Sequence, residues 1–232
     1  SLRGKPMAVT GPSKRTIIVA ASVEAKKLGI KTGTPIFEAK KICPHLILVK
    51  ADCKRYEAIS RNFIDIFGRF TNEIEIFSID EAFLDLTGVA ENFVEAKTIV
   101  EQIKKQIAEE IGQNIKCSAG IAQNKFMAKL ASEAKKPDGL TIVIPGDEIE
   151  FLDQFELSDA CGIGPRTKNH LNKLNIFSFK DLRQIDQTTL TLIFNTYGLK
   201  LYKMARGIDQ SEVVPFYENQ TIKSMSRSRT LP

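Results

Sequence analysis

The chain has 232 residues, of which 43% are hydrophobic and 26% charged, near the averages for a globular protein. These values exclude collagen-like and low-complexity chains, and no uncharged apolar run approaches the length of a membrane span. The four cysteines form no C-x-x-C pair, so neither a zinc site nor a disulfide framework is indicated. With only two histidines, a bound metal would be a hard cation held by carboxylates. Composition therefore predicts a soluble protein of a reducing, cytoplasmic compartment, without a membrane partner.

The net charge of +5 is distributed unevenly along the chain. Residues 1–50 contain ten basic and two acidic side chains, whereas residues 51–112 contain seven basic and thirteen acidic ones. A basic block followed by an acidic region is the pattern expected of a polyanion-binding surface beside a cation-binding centre. Solvated helix faces explain the same pattern equally well on charge alone.

The first 50 residues alternate short apolar runs with basic turns, which predicts a small, loop-rich unit with a short helix from Ile36 to Ile42. Apolar residues at helical spacing then predict a longer helix from Tyr56 to Phe70. Two short strands on either side of Ser78 to Glu81 predict a hairpin. Further elements are a long helix, a strand, a helix capped by Asn124 and another strand, over residues 96–111, 115–121, 124–134 and 140–144.

This order of strands and helices predicts an α+β fold, in which one sheet is covered by helices. From about Pro145 to Gly207 the pattern is entirely helical. After Gly207 the sequence becomes irregular, and residues 221–230 have the pattern of a single opening strand.

Asp80 and Glu81 interrupt the otherwise apolar hairpin in the segment S-I-D-E-A-F-L-D-L. Adjacent side chains on a strand face opposite ways, so neighbouring carboxylates converge only at a turn or a bulge. Carboxylates on one sheet edge repel each other unless a cation neutralises them, as in a Mg²⁺ site for phosphoryl transfer. A solvated hairpin turn is the competing interpretation, and the apolar residues on both sides argue against it.

A second motif, C-G-I-G, lies between predicted helices and includes Gly162 and Gly164. Two glycines around an apolar residue permit a tight turn whose backbone N–H groups open onto the next helix, which suits a phosphate. The form resembles the helix-hairpin-helix of DNA-binding proteins, which contacts the DNA backbone without reading sequence. An ordinary turn between helices is the alternative, and Arg166 and Lys168 beside the turn favour phosphate binding.

Two basic pairs are ambiguous when each is considered alone. Lys135 and Lys136 precede a Pro-Asp-Gly turn at a predicted helix end, where the helix dipole favours lysine in any protein. Lys26 and Lys27, in the segment A-K-K-L-G, allow the same two interpretations.

Taken together and in chain order, these motifs resemble the Y-family of lesion-bypass DNA polymerases, in its bacterial ImpB/MucB/SamB and DinB/UmuC branches. The resemblance covers nearly the whole chain and rests on the segments L-R-G-K-P, G-T-P, C-P-H, S-I-D-E-A-F-L-D-L, S-A-G-I-A, K-F-M-A-K, K-P-D-G, G-I-G and K-S. It implies a fingers unit at 3–52, a palm-type sheet at 53–143, an all-helical helix-hairpin-helix thumb at 144–210, and the linker and start of a little finger at 211–232.

The resemblance also implies roles for single residues. Asp80 would ligate the two catalytic Mg²⁺ ions, Glu81 would ligate the ion that activates the primer 3′-hydroxyl, and Ser78 would support them. Lys26, Lys27 and Lys136 would contact the phosphates of the incoming dNTP. The residues that would contact the DNA backbone are Gly162, Gly164, Arg166 and Lys168.

The chain also departs from the family pattern. Members carry an earlier strand with an Asp-x-Asp-type motif and aromatic residues, which supply a metal ligand and the steric gate against ribonucleotides. The sequence starts after that point and ends where the little finger would begin, so we expect a fragment with little or no synthesis on its own. Val23 and Lys26 stand where many members have Tyr and Arg, and lysine keeps the charge but not the bidentate fork.

The resulting hypothesis is template-directed, translesion DNA synthesis with Mg²⁺, dNTP and primer-template DNA, and a sliding clamp would bind only through a region outside this chain. A non-catalytic DNA-binding repair module that uses the helix-hairpin-helix unit is the alternative. DNA binding without Mg²⁺-dependent dNTP binding would favour that module. A nucleotidyl cyclase built on a palm-like layer is a third hypothesis, but it does not explain the C-G-I-G unit.

Overall fold

The computed structural model of the chain describes residues 2–11, 17–218 and 225–226. Backbone contacts divide the described residues into two compact units, one that contains residues 2–11 and 17–58 and one that contains residues 59–218. Both helices and strands contribute, which confirms the predicted α+β class. Among the described residues, no helix is both long and apolar enough to cross a bilayer.

The strands are β1 (Met7–Thr10), β2 (Ile18–Ala21), β3 (Ile47–Lys50), β4 (Ile74–Ile76), β5 (Ala82–Leu84), β6 (Ala119–Ile121) and β7 (Leu140–Ile142). The helices are α1 (Val23–Lys27), α2 (Ile36–Ile42), α3 (Cys53–Phe67), α4 (Phe93–Gln106), α5 (Lys125–Ala134), α6 (Glu148–Leu152), α7 (Pro165–Lys173), α8 (Phe179–Gln184), α9 (Gln187–Phe194) and α10 (Thr196–Met204). A π-helical turn, Ile107–Ile111, continues α4, so the predicted long helix does reach Ile111.

The first unit is built on a three-stranded sheet in the order β2-β1-β3. β1 pairs antiparallel with β2 and parallel with β3. Ala8 from β1 is buried in a small core with Ile18, Ile30 and Leu46. The helix predicted from Ile36 to Ile42 is confirmed as α2.

The strands of the second unit form two separate pairs among the described residues. β4 and β5 form the predicted antiparallel hairpin, with Ile74 opposite Leu84, whereas β6 and β7 are parallel, with Ala119 opposite Leu140. The prediction of one continuous sheet is therefore wrong for this part of the chain. Apolar alternation identifies strands, but their partners depend on contacts distant in sequence, and each of these strands has only 3 residues.

β6 is shorter than predicted because the residues before it bond elsewhere. The Ile115 N–H donates to the Gly112 carbonyl within a turn. The Cys117 carbonyl accepts a hydrogen bond from Lys104 Nζ instead of from a neighbouring strand. The backbone therefore joins the β6-β7 ladder only at Ala119.

One apolar core runs from α5 through the later helices, and the predicted helical region is confirmed as α6 to α10. The core crosses the predicted boundary between palm and thumb at residues 143 and 144, and that division stays a prediction. Residues 221–230, predicted as an opening strand, lie outside the described residues except for 225 and 226.

Candidate active site

Asp80 and Glu81 lie at the turn of the β4-β5 hairpin, between its last paired residues. The N–H groups of Phe77 and Ser78 both donate to the Glu81 carbonyl, at 2.9 and 3.0 Å, and close the turn. Ser78 Oγ donates to Asp80 Oδ1 at 2.7 Å, which orients that exposed carboxylate. The three residues predicted from the S-I-D-E segment are thus brought to one end of the hairpin.

The neighbours of this turn are apolar and partly open to solvent. Ile79 is 56% exposed and Phe77 is 47% exposed. The Phe77 ring packs edge-on against Phe83, with 5.4 Å between the ring centroids. The turn therefore combines an exposed carboxylate with apolar side chains that solvent also reaches.

A series of ion pairs joins Glu81 to Lys136. Lys129 Nζ lies 2.5 Å from Glu81 Oε1 and 3.0 Å from Glu133 Oε1. Lys136 Nζ lies 2.7 Å from the same Glu133 oxygen. A predicted metal ligand and a predicted triphosphate contact are therefore connected through Lys129 and Glu133, which had no predicted role.

Two local features place Lys129 near the hairpin. Asn124 caps α5 as predicted, since its Oδ1 accepts a hydrogen bond from the Met127 N–H at 2.9 Å. Gly120 lets the helix approach β6 closely, because a Cβ at that position would lie 2.1 Å from the Ala128 carbonyl oxygen. A side chain at position 120 would therefore displace the helix that carries Lys129.

The hydrogen bonds of this network keep its groups charged. Burial by itself lowers the pKa of Lys129, but the hydrogen bonds to Glu81 and Glu133 outweigh burial and raise it. Burial raises the pKa of Glu133, and the hydrogen bonds from Lys136 and Lys129 reverse that effect and lower it. Lys129 and Glu133 are therefore both ionised at neutral pH.

A second ion pair joins the same helix to the same hairpin. Lys125 Nζ lies 2.7 Å from Glu75 Oε2, and the two side chains are only 16% and 19% exposed. Glu75 Oε2 also accepts a hydrogen bond from the Val214 N–H at 2.9 Å. Because Lys125 and Lys129 are four residues apart, they lie on one face of α5 and contact the hairpin one turn apart.

Lys136 lies in a turn just beyond α5, and Lys104 anchors that turn. Lys104 Nζ donates to the carbonyls of Cys117 and Asp138 at 2.6 and 2.7 Å. It also lies 2.9 Å from the Asp138 carboxylate. Hydrogen bonds from Lys104 and Lys116 lower the pKa of Asp138, so the turn keeps its negative charge at neutral pH.

Asp80 and Glu81 fit magnesium by their donor chemistry, since carboxylate oxygens are hard ligands. In residues 2–11, 17–218 and 225–226, no group of three or more His, Cys, Asp or Glu side chains is arranged to hold a metal. Magnesium commonly takes only one or two protein carboxylates and completes its shell with water and substrate phosphates. The two carboxylates therefore suit a site shared with a substrate.

The C-G-I-G segment leads directly into α7, with Gly164 as the N-cap and Pro165 at the first helical position. Gly162 has a φ of +105°, which favours glycine, and its carbonyl accepts a hydrogen bond from the Tyr197 hydroxyl at 2.6 Å. First-turn N–H groups have no acceptor within a helix, and the neighbouring Arg166 is exposed. This is the backbone arrangement that the sequence predicted, and its role in phosphate binding stays a prediction.

Lys168 pairs with a carboxylate that precedes the C-G-I-G turn, and its contact with DNA phosphate stays a prediction. Its Nζ lies 2.6 Å from Glu156 Oε2 and 3.0 Å from Ser158 Oγ. The hydrogen bond from Lys168 lowers the pKa of Glu156, so this pair is ionised at neutral pH. Lys168 therefore braces the segment before the C-G-I-G turn, and Arg166 is the more exposed basic side chain beside it.

A cavity of about 790 Å³ lies between α5 and the C-G-I-G turn. Lys129 and Glu133 line one side of the cavity, and residues 158–164 line the other. The ion-pair network and the predicted phosphate-binding turn therefore face the same space.

Lys26 and Lys27 belong to the other compact unit, where they form the last turn of α1. Ser22 caps this helix, since its Oγ accepts a hydrogen bond from the Ala25 N–H at 3.3 Å. Both lysines are exposed, as is Val23 at the start of the helix. Their contact with triphosphate stays a prediction.

Sequence reasoning missed the linking role of Lys129 and Glu133. Part of the signal was available, because the two residues are spaced i, i+4 on a predicted helix and Lys136 follows three residues later. The contact with Glu81, 48 residues away, has no counterpart in any local pattern.

Comparison with known proteins agrees with these features. The model of the impB/mucB/samB family matches residues 1–133. DNA polymerase IV of Xanthomonas axonopodis pv. citri is 39% identical over 224 residues, covering 97% of this chain and 62% of that protein. DNA polymerase IV of Clostridioides difficile is 38% identical over 231 residues, covering 99% of this chain and 62% of that protein. The chain thus spans less than two thirds of the length of these curated relatives.

Solved structures agree with the sequence comparisons. A crystal structure of DinB from Sulfolobus solfataricus superposes with a TM-score of 0.84 at 32% identity, covering 92% of this chain and 63% of that one. An insertion ternary complex of Dbh DNA polymerase superposes with a TM-score of 0.81 at 32% identity, covering 91% and 63%. These matches confirm the resemblance to Y-family polymerases, and the chain belongs to the impB/mucB/samB family.

Proposed function

We propose that this chain is the catalytic core of a DNA-directed DNA polymerase that copies past damaged template bases. The observation that carries the proposal is the β4-β5 turn, where Asp80 and Glu81 stand together and ion pairs connect Glu81 to Lys136. Two hard-oxygen ligands beside a lysine suit a metal-bound triphosphate. The relatives reported above are named as polymerases, which supports this function over a non-catalytic DNA-binding module.

The proposed reaction is deoxynucleotidyl transfer. The primer 3′-oxygen attacks the α-phosphorus of the dNTP and forms a new P–O bond, while the bond from that phosphorus to the β-phosphate oxygen breaks. Pyrophosphate leaves with that electron pair, and the 3′-hydroxyl proton passes to water. Catalysis of this transfer depends mainly on positioning and on electrostatic stabilisation of the phosphoryl group.

Asp80 and Glu81 would hold the Mg²⁺ ions, which, when bound, lower the pKa of the 3′-hydroxyl and neutralise charge on the triphosphate. Ser78 supports this role because its hydrogen bond orients Asp80 before any ligand binds. The exposed apolar side chains of Phe77 and Ile79 would limit the water that surrounds the carboxylates.

Lys136, Lys26 and Lys27 would bind the dNTP phosphates as point charges. Val23 and Lys26 offer neither an aromatic hydroxyl nor a bidentate guanidinium. Phosphate binding at this helix would therefore depend on charge more than on directed hydrogen bonds. In this proposal residues 3–52 act as fingers, residues 53–143 as palm, and residues 144–210 as thumb.

The α7 N-terminus would bind a phosphate of the DNA backbone. The Gly164 N–H and the backbone N–H groups of the first turn after Pro165 supply donors, and the exposed Arg166 adds positive charge. Lys168 would add a second positive charge beside the turn, where its ion pair with Glu156 positions it. Such contacts fix the position of DNA without reading its sequence.

Primer extension by the protein that contains this chain tests the proposal. On a template with an abasic site, we expect Mg²⁺-dependent extension past the lesion, and chelation of the metal should abolish it. DNA binding without Mg²⁺-dependent dNTP binding or extension would contradict the proposal and favour the non-catalytic module.

A further inference from the structure

The ion pair between Lys129 and Glu81 places an ammonium on one of the two proposed magnesium ligands. The Lys129 and Glu81 side chains are 18% and 33% exposed, so the pair is partly shielded from water. Attraction between opposite charges grows as the surrounding dielectric falls. A divalent cation that approaches Glu81 therefore meets a carboxylate that already has a cationic partner.

Lys129 has a second partner that can keep its charge balanced. Glu133 Oε1 lies 3.0 Å from the same Nζ atom, and Lys136 also binds Glu133, at 2.7 Å. An ammonium that lost its only partner in a partly buried position would be costly. With Glu133 in place, Glu81 can be released while Lys129 stays paired.

We propose that Lys129 is a positioning residue that holds Glu81 at the hairpin turn and competes with a divalent cation for its carboxylate, while Glu133 retains the ammonium when Glu81 is released. This inference rests on the proposed function, in which Glu81 is a magnesium ligand. Lys129 thereby weakens cation binding at the turn in the absence of substrate.

Lys125 provides a matched comparison on the same helix. It lies one turn before Lys129, pairs with Glu75 of the same hairpin at 2.7 Å, and is similarly shielded, at 16% exposed. Glu75 belongs to β4 and has no proposed metal role. A general loosening of the contact between α5 and the hairpin would affect both lysine variants, whereas competition at Glu81 involves only Lys129.

The test measures binding of Mn²⁺, a probe visible by electron paramagnetic resonance, to the chain without DNA or nucleotide. Lys129→Met should bind Mn²⁺ about three- to tenfold more tightly than the parent, because one positive charge in contact with the carboxylate is removed. Lys129→Arg keeps the charge and should match the parent. Lys125→Met should also match the parent.

Unchanged or weaker Mn²⁺ binding by Lys129→Met would overturn the proposal, as would equal tightening by Lys125→Met. If thermal unfolding shows that Lys129→Met does not fold, Lys129→Gln carries the same expectation.

Glu81→Gln separates this inference from the proposed function. If it weakens Mn²⁺ binding while Lys129→Met changes nothing, only the role of Lys129 fails; if it leaves Mn²⁺ binding unchanged, the metal assignment of Glu81 fails as well.

Discussion

Lys104 Nζ lies 2.7 Å from the Asp138 carbonyl oxygen and 2.9 Å from the Asp138 carboxylate. The same ammonium donates to the Cys117 carbonyl at 2.6 Å. One partly buried charge therefore ties α4 both to the segment before β6 and to the turn that carries Lys136. Three backbone carbonyls, of Cys117, Asp138 and Gly139, lose this donor together if the side chain is removed.

Lys104→Met should lower the free energy of unfolding by about 2–3 kcal/mol, because it leaves partly buried carbonyls without their charged donor and leaves the Asp138 carboxylate with Lys116 alone. Urea unfolding followed by circular dichroism measures this change. Lys105→Met is the matched control, since Lys105 is 73% exposed and pairs with Glu109 at 3.9 Å. The control should cost less than about 0.5 kcal/mol, and equal losses in the two variants would contradict the anchoring role.

The two glycines of the C-G-I-G turn should respond differently to alanine. Gly162→Ala should lower the free energy of unfolding by about 1–3 kcal/mol, because Gly162 has φ at +105° and alanine is strained there. Gly164 has φ at −76° and open space around an added Cβ, so Gly164→Ala should fold normally. It should still weaken DNA binding in fluorescence anisotropy, because the methyl group stands beside the proposed phosphate. Full DNA affinity in a folded Gly164→Ala variant would argue against a phosphate at this turn.

Arg166→Gln should weaken DNA binding through loss of a single phosphate contact. The slope of log K against log salt concentration should become shallower by about 0.9, the value expected for one ionic contact with duplex DNA. Lys173→Gln is a control on the same helix, because Lys173 is exposed in its last turn, far from the α7 N-terminus. An unchanged slope for Arg166→Gln, or an equal change for Lys173→Gln, would contradict the proposed contact.

Features that depend on near neighbours could be predicted from the sequence. The Asn124 cap, the end of α5 and the hairpin around Asp80 all follow from residue types within a few positions. For the same reason the C-G-I-G segment could be recognised as a turn that begins a helix.

Contacts between distant segments could not be predicted in this way. Lys104 and Lys129 meet partners that are 34 and 48 residues away, so no periodic pattern indicates them. Lys168 also pairs with Glu156, 12 residues away, and no local pattern indicated that partner. The separate pairing of β4-β5 and β6-β7 likewise depends on packing between distant segments, which apolar alternation within a short strand does not indicate.

Stability should depend on pH through Glu133. Its folded-state pKa lies below the ordinary value of 4.5, so its contribution is complete above that value and is lost as pH falls through the lowered pKa. Urea unfolding between about pH 6 and pH 3 should show a smaller acid-induced loss for Glu133→Gln than for the parent. Identical pH profiles for the two proteins would contradict the ion-pair network.

In the proposed function, the carboxylates of Asp80 and Glu81 hold the metal at which DNA synthesis takes place. Asp85, on the same hairpin, is the matched control, because its Oδ1 accepts a hydrogen bond from the Thr87 N–H at 2.8 Å and Asp85→Asn retains an acceptor.

The most direct measurement is the single-turnover rate of dNTP incorporation by the protein that contains this chain and by its Asp80→Asn, Glu81→Gln and Asp85→Asn variants. Changes to residues that merely orient a metal ligand commonly cost about 10–100-fold, so loss of a ligand should cost at least about 100-fold. We predict that loss for Asp80→Asn and Glu81→Gln, and a near-parental rate for Asp85→Asn. Parental incorporation by either of the first two variants, with normal folding, would contradict the claim.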